Sequence, residues 1–202
     1  TANTRLAQLL DDAASKNIEL YSVTEQVMKK MSDTEAPQGV LAVCSKPQGF
    51  IVADGTVLVL DRVADPGNVG TVIRTANALG MDAVVLTGAC ADLYGPKTVR
   101  AAMGALFRQP VLTCATDELM QLLRANGLKL YGAALTDTAQ DLRCVPLTPA
   151  AVAIGSEGRG LSAELLAQCD GQIIIPMQPG AESLNAAVAA AVVMWEIART
   201  GM

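Results

Sequence analysis

Val57-Leu58-Val59-Leu60, Asp65-Pro66-Gly67-Asn68, the run from Val69 to Gly80, and Ala83-Val84-Val85-Leu86 follow one another in the stretch that decides the fold class. Four successive apolar residues read as a buried strand. The segment after the turn repeats its apolar positions at helical spacing. Val69, Val72, Ile73, Ala76 and Leu79 share one face, and Gly70, Arg74 and Asn77 gather on the other. Asn68 stands where a helix N-cap belongs, and Gly80 where a C-terminal capping glycine does. A second apolar strand then begins. Strand, helix and strand with short connections make a parallel β–α–β unit.

Downstream the rhythm continues. Helices are expected at 97–107 and 116–126, with strands at 111–113 and 128–134. Two further strands, 151–154 and 172–175, flank another helix, and a long apolar helix covers 184–199. The fold class is therefore α/β, an open parallel sheet covered by helices on both faces. Upstream, helices at 4–15 and 24–32 alternate with strands at 19–22 and 39–44, a small α+β segment over 1–46. Residues 47–54, beginning Pro47-Gln48-Gly49-Phe50, read as a linker to a domain over 55–202.

Composition narrows the chemistry. With 202 residues, 51% hydrophobic and only 3% aromatic, the chain can bury a full core of helices on a sheet. Its net charge of −5 supplies no global positive field, so a polyanionic partner must meet a local basic face. Histidine is absent, which removes Ser–His–Asp chemistry and the commonest general base. Cys44, Cys90, Cys114, Cys144 and Cys169 form no C-x-x-C pair. They read as reduced thiols of a cytoplasmic protein, with no disulfide framework and no metal site. The most apolar run, 186–195, is about half as long as a membrane span.

Two further segments stand out beside 65–77. In Ile154-Gly155-Ser156-Glu157-Gly158-Arg159-Gly160 a buried strand runs into a glycine-rich turn, where a ligand can lie directly on backbone. The spacing is not that of a dinucleotide fingerprint, and no Walker lysine follows, so no phosphate site is indicated. In Ile173-Ile174-Ile175-Pro176-Met177 a strand stops at a proline, and Ser183 then sits where the last helix needs an N-cap. Each segment alone also fits an ordinary turn, cap or solvated helix face.

Taken in order, the three resemble the motifs of the SpoU (TrmH-like) branch of the SPOUT RNA methyltransferases. The matching residues are Asn68, Gly70 and Arg74; Gly155-Ser156-Glu157-Gly158; and Ile175-Pro176-Met177 with Ser183-Leu184-Asn185-Ala186. The resemblance covers about residues 55–200. It implies a trefoil knot at the C-terminal end of the sheet, a homodimer, and S-adenosylmethionine as cofactor. It also implies methylation of a ribose 2′-hydroxyl in ribosomal or transfer RNA. Cofactor contacts are implied at Ala134, Leu135 and Thr136, at Gly155, Ser156, Glu157, Gly158 and Gly160, and at Ile175, Pro176, Met177, Ser183 and Leu184. Segment 1–46 resembles the tail of a small RNA-recognition domain whose beginning is expected to be missing.

The same resemblance makes Arg74 the candidate for handling the reacting oxygen, with Asn68, Glu157, Ser183 and Asn185 orienting Arg74, the ribose or the cofactor. Guanidinium is not deprotonated in ordinary surroundings, so Arg74 is better read as stabilising the developing alkoxide than as a base. Lys97, Arg100 and Arg108 fall within about 80° of arc if 97–108 is one helix, a basic stripe able to follow phosphates. Two other readings stay open: a non-catalytic RNA-binding protein that keeps the fold, and a nucleotide-binding α/β domain of ordinary topology.

Overall fold

The structure, a computed structural model, describes residues 2–201 except Asp33, Glu35, Gln48, Val52, Pro179, Ala181 and Glu182. Gln48 and Val52 of the expected linker, and Pro179, Ala181 and Glu182 of the third-motif loop, thus lie outside the described residues. The chain divides into two compact units, Thr1–Ser45 and Lys46–Met202.

The first unit holds helices α1 (Ala2–Ser15) and α2 (Glu25–Met31), the latter capped by the Thr24 side chain. The strands expected at 19–22 and 39–44 are not formed. A strand exists only with a hydrogen-bonded neighbour, and neither segment finds one among the described residues.

The second unit is built on seven strands: β1 (Thr56–Asp61), β2 (Ala83–Thr87), β3 (Val111–Thr113), β4 (Leu130–Ala133), β5 (Gln140–Asp141), β6 (Ala150–Ile154) and β7 (Gly171–Ile174). All pairings are parallel, in the order β3-β2-β1-β6-β4-β7-β5. Every residue of β1, β2 and β6 is buried, which is why the strand interiors are continuous apolar runs rather than alternating, with Thr56, Asp61 and Thr87 only at strand ends. Leu58 and Leu60 point to the face covered by α3 (Pro66–Leu79) and α7 (Ala186–Gly201). Val57 and Val59 point to the face covered by α5 (Thr116–Ala125) and α6 (Ala163–Leu166).

Two aspartates staple the strand starts. Asp82 Oδ2 accepts from Thr56 N at 2.7 Å and Asp170 Oδ2 accepts from Leu130 N at 2.8 Å. Each occupies a backbone donor that no neighbouring strand reaches.

The expected helix over 97–107 is broken. Helix α4 covers only Pro96–Ala101, Met103 (φ 50) and Gly104 (φ 81) are left-handed, and Ala105–Phe107 is a single 3-10 turn. Lys97, Arg100 and Arg108 therefore do not form a stripe along one helix. Gly70 also differs from expectation. It is buried, and a Cβ there would stand 2.5 Å from Ala101 Cβ and 2.6 Å from Thr98 O, so glycine is what lets α3 and α4 cross closely. No described helix is long and apolar enough to cross a membrane.

Candidate functional site

The sheet order reverses between β1 and β4, and β6 fills the place between them. The C-terminal ends of β4, β6 and β7 open there onto a cleft of ≈ 500 Å³. Open parallel sheets place ligands at such a position. A larger hollow, ≈ 680 Å³, lies by Thr56 and Gly80 at the opposite end of β1. None of the three sequence motifs reaches it, so the smaller cleft carries the argument.

Three chain segments form the cleft walls. After β4 come Ala134, Leu135 and Thr136; after β6 come Gly155, Ser156, Glu157, Gly158 and Gly160; after β7 come Ile175, Met177, Ser183 and Leu184. Every residue expected to touch cofactor therefore lines the cleft except Pro176, which is exposed and not among the lining residues. Its ring cannot continue the β7 ladder and turns the chain between Ile175 and Met177. Ile154, Leu161, Ile173 and Ala186 add an apolar floor that was not among the expected cofactor contacts. Their signal was position alone, at the ends of strands, at the exit of the glycine-rich turn and at the start of α7.

The glycine-rich turn closes on itself. Ser156 and Gly160 exchange backbone hydrogen bonds, and a Cβ on Gly155 would stand 2.1 Å from the Gly160 carbonyl carbon. Asp61, 2% exposed at the end of β1, anchors the turn's exit by accepting from Ser162 N at 2.5 Å. Arg62 lies 3.6 Å from that carboxylate and donates to Gly160 O at 3.4 Å. Neither residue was expected at the site. A buried acid directly after four apolar strand residues was the available signal. On the other wall, Thr136 Oγ1 donates to Gln172 Oε1, tying the loop after β4 to β7.

The three motifs meet in one hydrogen-bonded chain. Asn68 Nδ2 donates to Glu157 Oε1, and Asn185 Nδ2 donates to Asn68 Oδ1 at 3.2 Å. Asn68 is free to do so because it does not cap α3. Asp65 is the N-cap and accepts from Asn68 N at 2.8 Å. Likewise Asn185, not Ser183, accepts from Ala187 N and Val188 N at the start of α7, leaving Ser183 on the cleft wall. Arg74 lies exposed on α3 and, among the described residues, has no hydrogen-bond or ion-pair partner. It does not line the cleft.

Two partly buried thiols of the second unit are poor nucleophiles. Burial, followed by the charges of Asp170 and Asp61, pushes Cys169 up to about 11, and burial also raises Cys90. Among the described residues no group of three or more Cys, Asp and Glu stands together as a metal site.

A concave, mainly apolar cleft with bare glycine backbone on one wall and a few hydroxyl and carboxylate groups suits a nucleoside-sized ligand with one polar tail. Residues 55–195 match the profile of the SpoU rRNA Methylase family. Residues 1–50 match a second profile, RNA 2'-O ribose methyltransferase substrate binding. The chain is 39% identical over 180 residues to the 23S rRNA (guanosine(2553)-2'-O)-methyltransferase RlmP of Bacillus subtilis, covering 89% of this chain and 73% of that protein. Among solved structures it resembles the AdoMet-bound rRNA methyltransferase from Sinorhizobium meliloti, with TM-score 0.89 and 29% identity over 98% of this chain and 78% of that one. It also resembles the SpoU methyltransferase AviRb from Streptomyces viridochromogenes in complex with AdoMet. There the TM-score is 0.70 and the identity 34%, over 75% of this chain and 62% of that one.

Proposed function

The chain belongs to the SpoU rRNA methylase family, and from that premise we infer that it transfers a methyl group from S-adenosylmethionine to a ribose 2′-hydroxyl of RNA. The observation that carries this reading is the convergence of Asn68, Glu157 and Asn185 into one hydrogen-bonded chain, with Glu157 on the cleft wall.

The residues fit the cofactor. The Gly155–Gly160 turn offers backbone without side-chain obstruction, and Leu161, Ile173 and Leu184 offer apolar surface to a base. When bound, the cofactor supplies an electrophilic methyl group on a sulfonium. The chain's own work is positioning and charge stabilisation. Asn68 holds the Glu157 carboxylate in one orientation, and Asn185 holds Asn68. Asp61 and Arg62 keep the turn that carries Glu157 from opening. Arg74 has all its guanidinium donors available for the 2′-oxygen as it loses its proton, and for a neighbouring phosphate. Ser183 faces the cleft with its hydroxyl available to ribose or cofactor.

The same reading includes a trefoil knot at this end of the sheet, supported by the insertion of β6 between β1 and β4. It includes ribosomal or transfer RNA as substrate, with 1–46 contributing to its recognition, supported by the profile match at 1–50. It also includes a homodimer through α7. Val188, Val192 and Trp195 form an exposed apolar row there, while Ala190, Val193 and Met194 pack on the core.

Transfer of labelled methyl from S-adenosylmethionine to total RNA, followed by mapping of ribose methylation, tests the activity. A 2′-O-methyl product is expected. RNA binding with neither transfer nor calorimetrically detectable binding of S-adenosylmethionine identifies a non-catalytic RNA-binding protein instead.

A further inference from the structure

Phe107 is 61% exposed and Met103 is 68% exposed, both just after α4. The backbone around them is well seated. Ala105 and Leu106 are buried, and Gln109 Nε2 donates to Met81 O at 3.0 Å from a buried position. Next along, Arg108 Nε donates to Asn77 Oδ1 at 3.4 Å, one helical turn along α3 from Arg74. Phe107, Arg108, Asn77 and Arg74 thus follow one another over a surface that leads to the residue assigned to the reacting oxygen.

The charge of this layer opposes that of the chain. Segments 66–81 and 93–116 contain no Asp or Glu, yet hold Arg74, Lys97, Arg100 and Arg108, within a protein of net charge −5. Of the acids that border them, Asp65 caps α3, Asp82 Oδ2 accepts from Thr56 N and Asp92 Oδ1 accepts from Tyr94 N, while Asp117 lies exposed at the far end, in the first turn of α5. A second copy of the chain meeting this layer would set like charges against one another. A polyanion suits it, and an exposed ring beside a guanidinium is what accepts the π-face of an unstacked base.

We propose that Phe107 and Met103 form a platform on which an unpaired nucleobase flanking the reacting ribose stacks, while Arg108 and Lys97 hold its phosphates. The proposal rests on the reading of the chain as an RNA methyltransferase. It adds the class of substrate the surface accepts, a locally single-stranded segment rather than a continuous duplex.

The test is anisotropy of a fluorescein-labelled, mixed-sequence single-stranded RNA of about fifteen nucleotides, with cofactor present, over a salt series. Phe107→Ala and Phe107→Leu are each expected to weaken binding about tenfold, and Phe107→Trp to restore it. The salt slope stays unchanged in these variants, whereas Arg108→Gln lowers it by about one. Cofactor affinity, measured by calorimetry, stays unchanged in all four. Phe107→Leu binding as well as wild type overturns the platform, since an apolar contact would then suffice. So does a fall in mass by light scattering in Phe107→Ala, which makes the surface an interface between copies. Wild type that binds cofactor but not this RNA overturns the platform, and methyl transfer to total RNA then decides the RNA reading separately. Wild type that binds RNA with Phe107→Ala unaffected defeats the platform alone.

Discussion

Asn68 donates its side-chain amide to the carboxylate of Glu157, 89 positions later in the chain, and so joins the first turn of α3 to the glycine-rich turn after β6. Asn68→Ala removes the donor that orients Glu157 and the acceptor that holds Asn185. Single-turnover methyl transfer is expected to fall about a hundredfold. Asn68→Asp is expected to be worse at neutral pH, because two carboxylates would then share the site. Transfer by Asn68→Asp within about fivefold of wild type would place Glu157 outside the working site.

Gly155→Ala and Gly158→Ala should separate cleanly in stability. A Cβ at Gly155 meets the backbone of Gly160 and Leu161 within 2.3 Å, whereas a Cβ at Gly158 meets nothing within 4 Å. Opening the turn costs about 1–3 kcal/mol, and the exposed substitution stays within about 0.5 kcal/mol. Denaturant unfolding measures both. Equal values for the two variants would mean that the turn has room to relax.

Much of this architecture was legible because its physics is local. Val57 to Leu60, Ala83 to Leu86 and Ala151 to Ile154 are apolar in every position, and only strands buried on both faces need that. Asn68, Glu157 and Asn185 were legible as a set only through family resemblance, since nothing in spacing reports that they meet. The helix expected over 97–107 failed at Met103 and Gly104, whose left-handed backbone stops it just after the stretch of α4 that packs on Gly70 of α3. The two-residue β5 has no apolar pattern and exists through its pairing with Ile173 and Ile174 alone. Capping was misread twice, at Asn68 and at Ser183, because a nearby Asp65 and Asn185 compete for the same backbone donors.

Alkylation should discriminate among the thiols. Cys44 and Cys144 are exposed, while burial pushes Cys114 and Cys169 up to about 11, with Glu118 and Asp170 adding to the effect. At pH 8 only about one in a thousand of this half-buried pair is thiolate. Iodoacetamide followed by peptide mass spectrometry should therefore modify Cys44 and Cys144 well before Cys114 and Cys169. Labelling of all of them at one rate would contradict the packing around α5 and α6.

Val192→Asp tests the α7 interface. Val192 is 37% exposed in the single chain, so a charge there leaves the monomer's core intact but opposes its own copy across a twofold. Light scattering at micromolar concentration should report a dimer for wild type and a monomer for the variant. A wild-type monomer removes the homodimer from the proposed function.

Arg74→Ala is expected to keep cofactor binding and lose at least about two orders of magnitude in methyl transfer. Arg74 is exposed on α3, while Val69, Val72, Ile73 and Ala76 fill the core from the same helix, so truncation removes no packing. It does not line the cofactor cleft, and among the described residues no carboxylate already holds its guanidinium. Its planar fork can therefore reach an alkoxide and a phosphate at once, and Arg74→Lys should recover little because an ammonium cannot reproduce that geometry. Single-turnover transfer at saturating RNA, with cofactor affinity measured in parallel, separates the alternatives. Transfer by Arg74→Ala within about fivefold of wild type, or a defect wholly explained by lost cofactor affinity, would return Arg74 to an ordinary solvated position on a helix.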